Sequence, residues 1–367
     1  MENTVNPSGA SASSPIVNLA LQGGGSHGAF TWGVLDALLA DGRMQFEGIS
    51  GTSAGAMNAV AMAYGYNDAL AKNQADPRER ARESLASFWN GVVEMGEVAQ
   101  PQSAMYNVLF NASGMAASPA ASWLNAMATE WSHALSPYAL NPLDINPLRN
   151  FLQQQIDFEA LLHDKGIKVF VVATHVASGQ AEVFWGKRLT ADAVMASACL
   201  PQAFQAVQIE GEYYWDGGYS GNPAIHPLIY NCQACDVLLV QINPIRRNAV
   251  PTTSAQIMDR INELTFNAGL ISEMRAIDFV SRLLAEGKLD PQRYKNVLLH
   301  RIDGGEALDG YAASTKVSTN GVLIRALRDL GVAHAQEWLD KKFHALGQHS
   351  SIHIKHDYLD SLRVPVK

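Results

Sequence analysis

Two short apolar runs in this chain each end at a glycine-rich turn, and each turn opens a segment with helical spacing. Ile16 to Leu21 runs into Gly23-Gly24-Gly25, after which Phe30, Val34 and Leu38 recur at helical intervals up to Ala40. Phe46 to Ser50 runs into Gly51-Thr52-Ser53-Ala54-Gly55, and small residues follow to about Tyr64. Strand, glycine turn, helix, repeated, is the grammar of a sheet covered by helices on both faces. Later runs continue it. Lys168–Ala173, Val237–Ile242 and Val297–His300 read as strands, Phe204 to Trp215 as a hairpin, and 68–90, 191–198 and 322–346 as helical. Ile257, Ile261, Leu264, Ala268, Ile271 and Met274 mark one stripe of a long amphipathic helix over 255–285, expected to pack on the sheet.

Composition bounds the partners. Of 367 residues 47% are hydrophobic and 17% charged, which is globular, and the net charge of -8 disfavours nucleic acid. No window approaches 18 apolar residues, and the Ser- and Asn-rich start carries no Lys or Arg before Pro15, so neither a membrane span nor a secretory leader is expected. Three cysteines, two of them in Cys232-Gln233-Ala234-Cys235, fit free thiols in a reducing compartment and a cytoplasmic address. The charge run Asp76–Glu83 reads as a solvated face. His344, His349, His353 and His356 match no standard metal spacing and read as part of a mobile polar tail.

The organisation that follows is a flexible tail at 1–14, one α/β domain over 15–330, and a C-terminal helix and polar tail over 331–367. Within the domain, 91–147 changes composition: Met95, Met105, Met115 and Met127 join Trp123 and Trp131 among many Ala and Ser. This helical insertion is either a lid that receives an acyl chain or an ordinary subdomain with its own core.

Three motifs carry chemistry. The first, Gly51-Thr52-Ser53-Ala54-Gly55, is a G-x-S-x-G in the strand-to-helix setting that holds a serine hydroxyl at the tip of a sharp turn. Alone it is also a common small-residue turn. The second, Gly23-Gly24-Gly25-Ser26-His27-Gly28, reads literally as a dinucleotide fingerprint. That reading wants an acid at the end of the next strand, yet Glu47 starts it, and no Gly-Lys-Ser/Thr follows for a P-loop. Its other role is an oxyanion hole built from the N–H groups of Gly24, Gly25 and Ser26. The third, Asp216-Gly217-Gly218 after Tyr213-Tyr214-Trp215, is either a tight turn or a base held on a loop.

Taken in this order, over about residues 16–245, the three motifs resemble the patatin-like phospholipase family. The resemblance implies a three-layer α/β/α sandwich with a mostly parallel central sheet. It implies a serine acyl hydrolase in which Ser53 is the nucleophile, Asp216 the general base, and Gly24, Gly25 and Ser26 the oxyanion loop. Gly23, His27, Gly28, Gly51, Gly55, Gly217 and Gly218 support those motifs. It implies lipid ester substrates, contact with a lipid surface, and no cofactor or metal. The sequence departs at His27, where family members often carry Arg or Lys. Among histidines after Asp216, His226 precedes Pro227 and reads as a helix start, which favours a Ser–Asp dyad over a triad. An intracellular polyester esterase is the alternative substrate class.

Overall fold

The computed structural model describes residues 14–98, 136–144, 146–247, 250–311, 315–316 and 318–359. Most of the 91–147 insertion, with Met105, Met115, Trp123, Met127 and Trp131, lies outside the described residues. In chain order the principal elements are β1 (Ile16–Leu21), α1 (Gly28–Asp41), β2 (Gln45–Thr52), α2 (Ala54–Ala71), α3 (Pro77–Val98), α4 (Pro147–Gln155), β3 (Lys168–His175), β4 (Ala181–Phe184), α5 (Ala191–Ser197), β5 (Val207–Ile209), β6 (Glu212–Asp216), α6 (His226–Asn231), β7 (Asp236–Gln241), α7 (Ser254–Ala285), β8 (Leu298–Asp303) and α8 (Gly321–Lys341).

The strands pair along the path β5-β6-β3-β2-β1-β7-β8, with β4 also on β3. The centre is parallel: β3-β2, β2-β1, β1-β7 and β7-β8 all run the same way. β4, β5 and β6 add antiparallel pairs at one side. The central strands are apolar on both faces because both are covered. Val17, Leu19 and Leu21 enter one core with α1, α2, α3 and α8, while Ala20 enters a second core with Leu270, Met274 and Ile277 of α7. No described helix is long and apolar enough to cross a membrane.

Two expectations need correction. Most of the stripe on α7 faces away from the sheet, which the helix meets through a neighbouring face. Leu270, Met274 and Ile277 are buried, but Ile257, Met258, Ile261 and Leu264 are exposed, each by more than two fifths of its surface. Nor does the chain divide at residue 330. α8 runs across that position and lies tightly on α1: a Cβ on Gly33 would fall on the Arg328 carbonyl, and one on Gly331 on the Phe30 carbonyl. Beyond α8, Leu346, Ile352 and Tyr358 are buried, so the segment read as a polar tail contributes to both cores.

Two sequence signals shift in position. The helix read over 68–90 is two elements: α2 ends at Ala71, Asn73 turns with φ 51°, and α3 begins at Pro77. The charge run is not wholly solvated, since Arg82 reaches across to Asp36 of α1 at 2.7 Å, where Arg328 of α8 joins it at 2.7 Å.

The turn between β2 and α2 depends on missing side chains. A Cβ on Gly51 would come 2.5 Å from the Gly55 carbonyl, and one on Gly55 would fall on the Leu21 carbonyl of β1. Gly55→Ala is therefore expected to overpack this junction and lower unfolding stability by about 1–3 kcal/mol in urea titrations. A midpoint equal to the parent's would show that β1 and α2 can separate freely.

Candidate active site

The end of β2 and the end of β6 meet on one flank of β3. Val172 pairs with Thr52 on one side and Val183 of β4 on the other. Ala173, the next residue, pairs with Glu182 of β4 and with Asp216 of β6. Both β2 and β6 are therefore opposite β4, end to end, in consecutive registers. This places Ser53 and Asp216 together although they are far apart in sequence.

Ser53 sits at the N-cap of α2 with φ 54° and ψ −123°, a conformation a non-glycine residue adopts only when its surroundings enforce it. Its N–H donates to Ser197 Oγ at 2.8 Å. Its hydroxyl lies close enough to the Asp216 carboxyl to favour the charged form of that acid. Asp216 Oδ1 also accepts the Gly218 N–H at 2.7 Å. Asp216 is 1% exposed, and burial pushes its pKa up to about 7 against the opposing pull of the Gly218 N–H and the Ser53 hydroxyl. A carboxyl near 7 is poised to exchange a proton at neutral pH. The Cβ that Gly217 lacks would fall on the Val172 carbonyl, and that of Gly218 on the Phe266 ring of α7, so this turn too is packed to its backbone.

The glycine loop lies against the serine: a Cβ on Gly23 would come 2.7 Å from Ser53 Cβ. After Gly24 the chain makes a single 3₁₀ turn, Gly25–His27, that leads into α1. Among the described residues, the N–H groups of Gly24, Gly25 and Ser26 find no acceptor, whereas His27 N–H bonds the Gly24 carbonyl and Gly23 N–H bonds Asn222 Oδ1 at 2.6 Å. Three successive donors are thus left over beside Ser53. The first turns of α1 and α2 adjoin there, with a Cβ on Gly28 only 2.7 Å from Ala54 Cβ, and buried Asn58 donates to both the Gly28 and Ala54 carbonyls at 3.0 Å. Two helix N-termini therefore favour negative charge at one place.

A buried amide clamp holds the loop, and sequence reasoning missed it. Gln22 Oε1 accepts the Ile242 and Asn243 N–H groups, each at 2.9 Å, and Asn243 Nδ2 donates to the Gly23 carbonyl at 2.8 Å. Asn267 of α7 accepts from Gln22 Nε2. The only available signal was position: Gln22, Asn222 and Asn243 each follow a strand end or the Asp216 turn.

The other singled-out residues fall elsewhere. His226 Nδ1 lies 2.9 Å from Glu273 Oε1 of α7, and no histidine is among the groups that set the acidity of Asp216. Glu47 accepts the Gln233 and Ala234 N–H groups at the opposite end of β2, away from the glycine loop, which removes the dinucleotide reading. His27 is 2% exposed, with Nε2 2.7 Å from Thr315 Oγ1. Burial and the charge of Lys316 lower its pKa to about 3, so it stays neutral and supplies no positive charge to the loop. Lys316 Nζ instead bonds Asn243 Oδ1 at 2.8 Å. Cys232 is buried, Cys235 exposed, and neither is in a disulfide.

A family model described as patatin-like phospholipase matches residues 19–229, more than half of the chain. No curated protein matches. Among solved structures, VipD from Legionella pneumophila shares 14% identity in an alignment that covers 95% of this chain and 73% of that chain, with a TM-score of 0.40.

Holding Asp216 in a dry site costs stability in proportion to its ionisation. Its folded pKa lies above the unfolded value, so the folded state binds the extra proton, and stability from this group falls as pH rises from about 4 through about 7. Asp216→Asn is expected to melt above the parent by a margin that is small at pH 5 and on the order of a few kcal/mol at pH 8. A margin independent of pH would show that the carboxyl is not desolvated.

Proposed function

Because this chain belongs to the patatin-like phospholipase family, we propose that it is a lipid acyl hydrolase working through a Ser53–Asp216 dyad. The observation that carries this reading is the placement of Ser53 beside a buried carboxyl whose charge it favours, next to three N–H groups with no acceptor among the described residues.

The chemistry follows from the geometry. Ser53 Oγ attacks the ester carbonyl carbon, and its proton passes to Asp216. The carbonyl oxygen becomes an oxyanion and accepts from the N–H groups of Gly24, Gly25 and Ser26, with two helix N-termini behind them. Collapse expels the alcohol, which takes the proton from Asp216. Water then repeats the sequence on the acyl-enzyme, with Asp216 accepting its proton, and Ser53 is regenerated as the fatty acid leaves. No step calls on a histidine.

The exposed half of α7 gives the lipid surface a place to dock. Ile257, Met258, Ile261 and Leu264 are exposed on one side of the helix, while Phe266, on the packed side, fills the space beside Gly218 with its ring and meets Tyr219 at 5.2 Å. An exposed apolar strip on the helix whose other side packs on the Asp216 turn suits a protein that works against a bilayer or micelle. Seated there, the substrate would be a phospholipid or lysophospholipid.

Ser53→Ala and Asp216→Asn are each expected to lower turnover of a short aryl ester by at least about a thousandfold and to abolish Ser53 labelling by a fluorophosphonate, while His226→Ala retains most activity. Full loss in a folded His226→Ala protein would replace the dyad by a triad. In the parent, kcat/KM is expected to rise with pH and level off above about 7, as Asp216 ionises. For the docking face, Ile261→Asp with Leu264→Asp should lower hydrolysis of phospholipid vesicles more than about tenfold and leave the water-soluble ester within about twofold. Equal loss on both substrates would assign α7 a structural role only.

A further inference from the structure

A cavity of about 260 Å³ opens at the C-terminal ends of β7 and β8. Its walls are Gln241 to Arg246 after β7, Arg301 and Asp303 to Gly305 at the end of β8, Leu308, and His356 and Asp357 from the C-terminal segment. The lining carries both signs of charge. Arg301 Nε lies 2.7 Å from Asp303, and its Nη1 donates to the Tyr358 hydroxyl at 3.3 Å. Nη2 of Arg301 bonds nothing among the described residues. Arg246 brings a second guanidinium to the same space by donating to the His356 carbonyl at 3.0 Å. Asp357 lies 3.0 Å from His356 Nδ1. Ion pairs that served only to fasten the C-terminal segment would close over one another, whereas these surround an open volume.

The cavity shares a wall with the glycine loop. Ile242 lines it, and a Cβ on Gly24 would come 2.8 Å from Ile242 Cδ1. Asn243 lines it and bonds the Gly23 carbonyl. Across the order β2-β1-β7-β8, strand spacing places the cavity roughly 10–14 Å from the end of β2, where Ser53 stands. An extended glycerophospholipid spans a comparable length between its acyl ester and the amine of its head group.

We propose that this cavity is a head-group subsite for a zwitterionic phosphodiester, with the phosphate against Arg246 and Arg301 and the ammonium between Asp303 and Asp357. Planar guanidinium donors suit phosphate oxygens, and a cation between two carboxylates keeps the pocket neutral when filled. The assignment rests on the lipid hydrolase reading for its biological sense, but its test does not pass through catalysis.

The test titrates glycerophosphocholine into the whole protein by calorimetry. Having no acyl ester, this probe reports the cavity whether or not Ser53 is a nucleophile. Saturable binding is expected, tighter than that of glycerol 3-phosphate or choline alone. Arg246→Gln and Asp303→Asn, both on partly exposed side chains, should each weaken it about tenfold with no change in melting temperature. No saturable binding, or an affinity unchanged in both variants, overturns the site. Equal affinity for glycerol 3-phosphate overturns the zwitterionic assignment, because the aspartates then recognise nothing. Specific binding in a protein inert towards esters would sink the hydrolase reading and leave the subsite standing.

Discussion

Strand β3 is the ruler on which the site is measured. Its flank pairs first with the end of β2 and then, one residue later, with the end of β6. Two chain segments that arrive from opposite directions are thereby stopped against each other, one presenting a serine and the other a carboxyl. Their adjacency is fixed by backbone hydrogen bonds of the sheet, not by the flexible reach of side chains. β4 matters to this arrangement because it occupies the other flank of β3 and leaves β6 no place but the one in line with β2.

Around that junction the protein spends polar groups freely in its interior. Gln22, Asn222, Asn243 and Asn267 are buried, and each is tied into the hydrogen bonds that hold the glycine loop. Satisfied networks of this kind rigidify, while a single missing partner would leave an amide stranded in a dry environment. The N–H groups of Gly24, Gly25 and Ser26 are the exception, without acceptors among the described residues and close to a serine in a strained conformation. Strain, donors without acceptors among the described residues and a carboxyl held far above its usual range all occur in one place, a combination that the proposed chemistry would use.

Much of this was legible in the sequence. Hydrophobic runs located β1 and the start of α1 to the residue, since a strand buried on both faces and a helix opened by a glycine turn leave clear marks. The three motifs named Ser53, Asp216 and the loop because each needs small residues where backbones touch, as the close approaches at Gly23, Gly51, Gly55 and Gly218 show. What was not legible depends on partners. The spacing on α7 groups Ile257, Ile261 and Leu264 on one apolar face, but does not say that the helix packs through a neighbouring face carrying Leu270, Met274 and Ile277. Glutamines and asparagines after strands are too common to mark a clamp. Gly331 gives no hint in the sequence that it is a crossing point, so the end of the chain reads as separable when it is not.

That crossing governs how the molecule can be made. α1 is buried nearly all round, and the element that seals it against solvent, α8, is encoded almost three hundred residues later, beyond both β7 and β8. β1 likewise waits for β7 before its second edge is paired. During synthesis the ribosome must therefore release the whole sheet before the first helix has its cover, and the nascent amino-terminal third emerges with an apolar helix and an open strand edge. Such a chain has little prospect of folding from its amino-terminal end forwards.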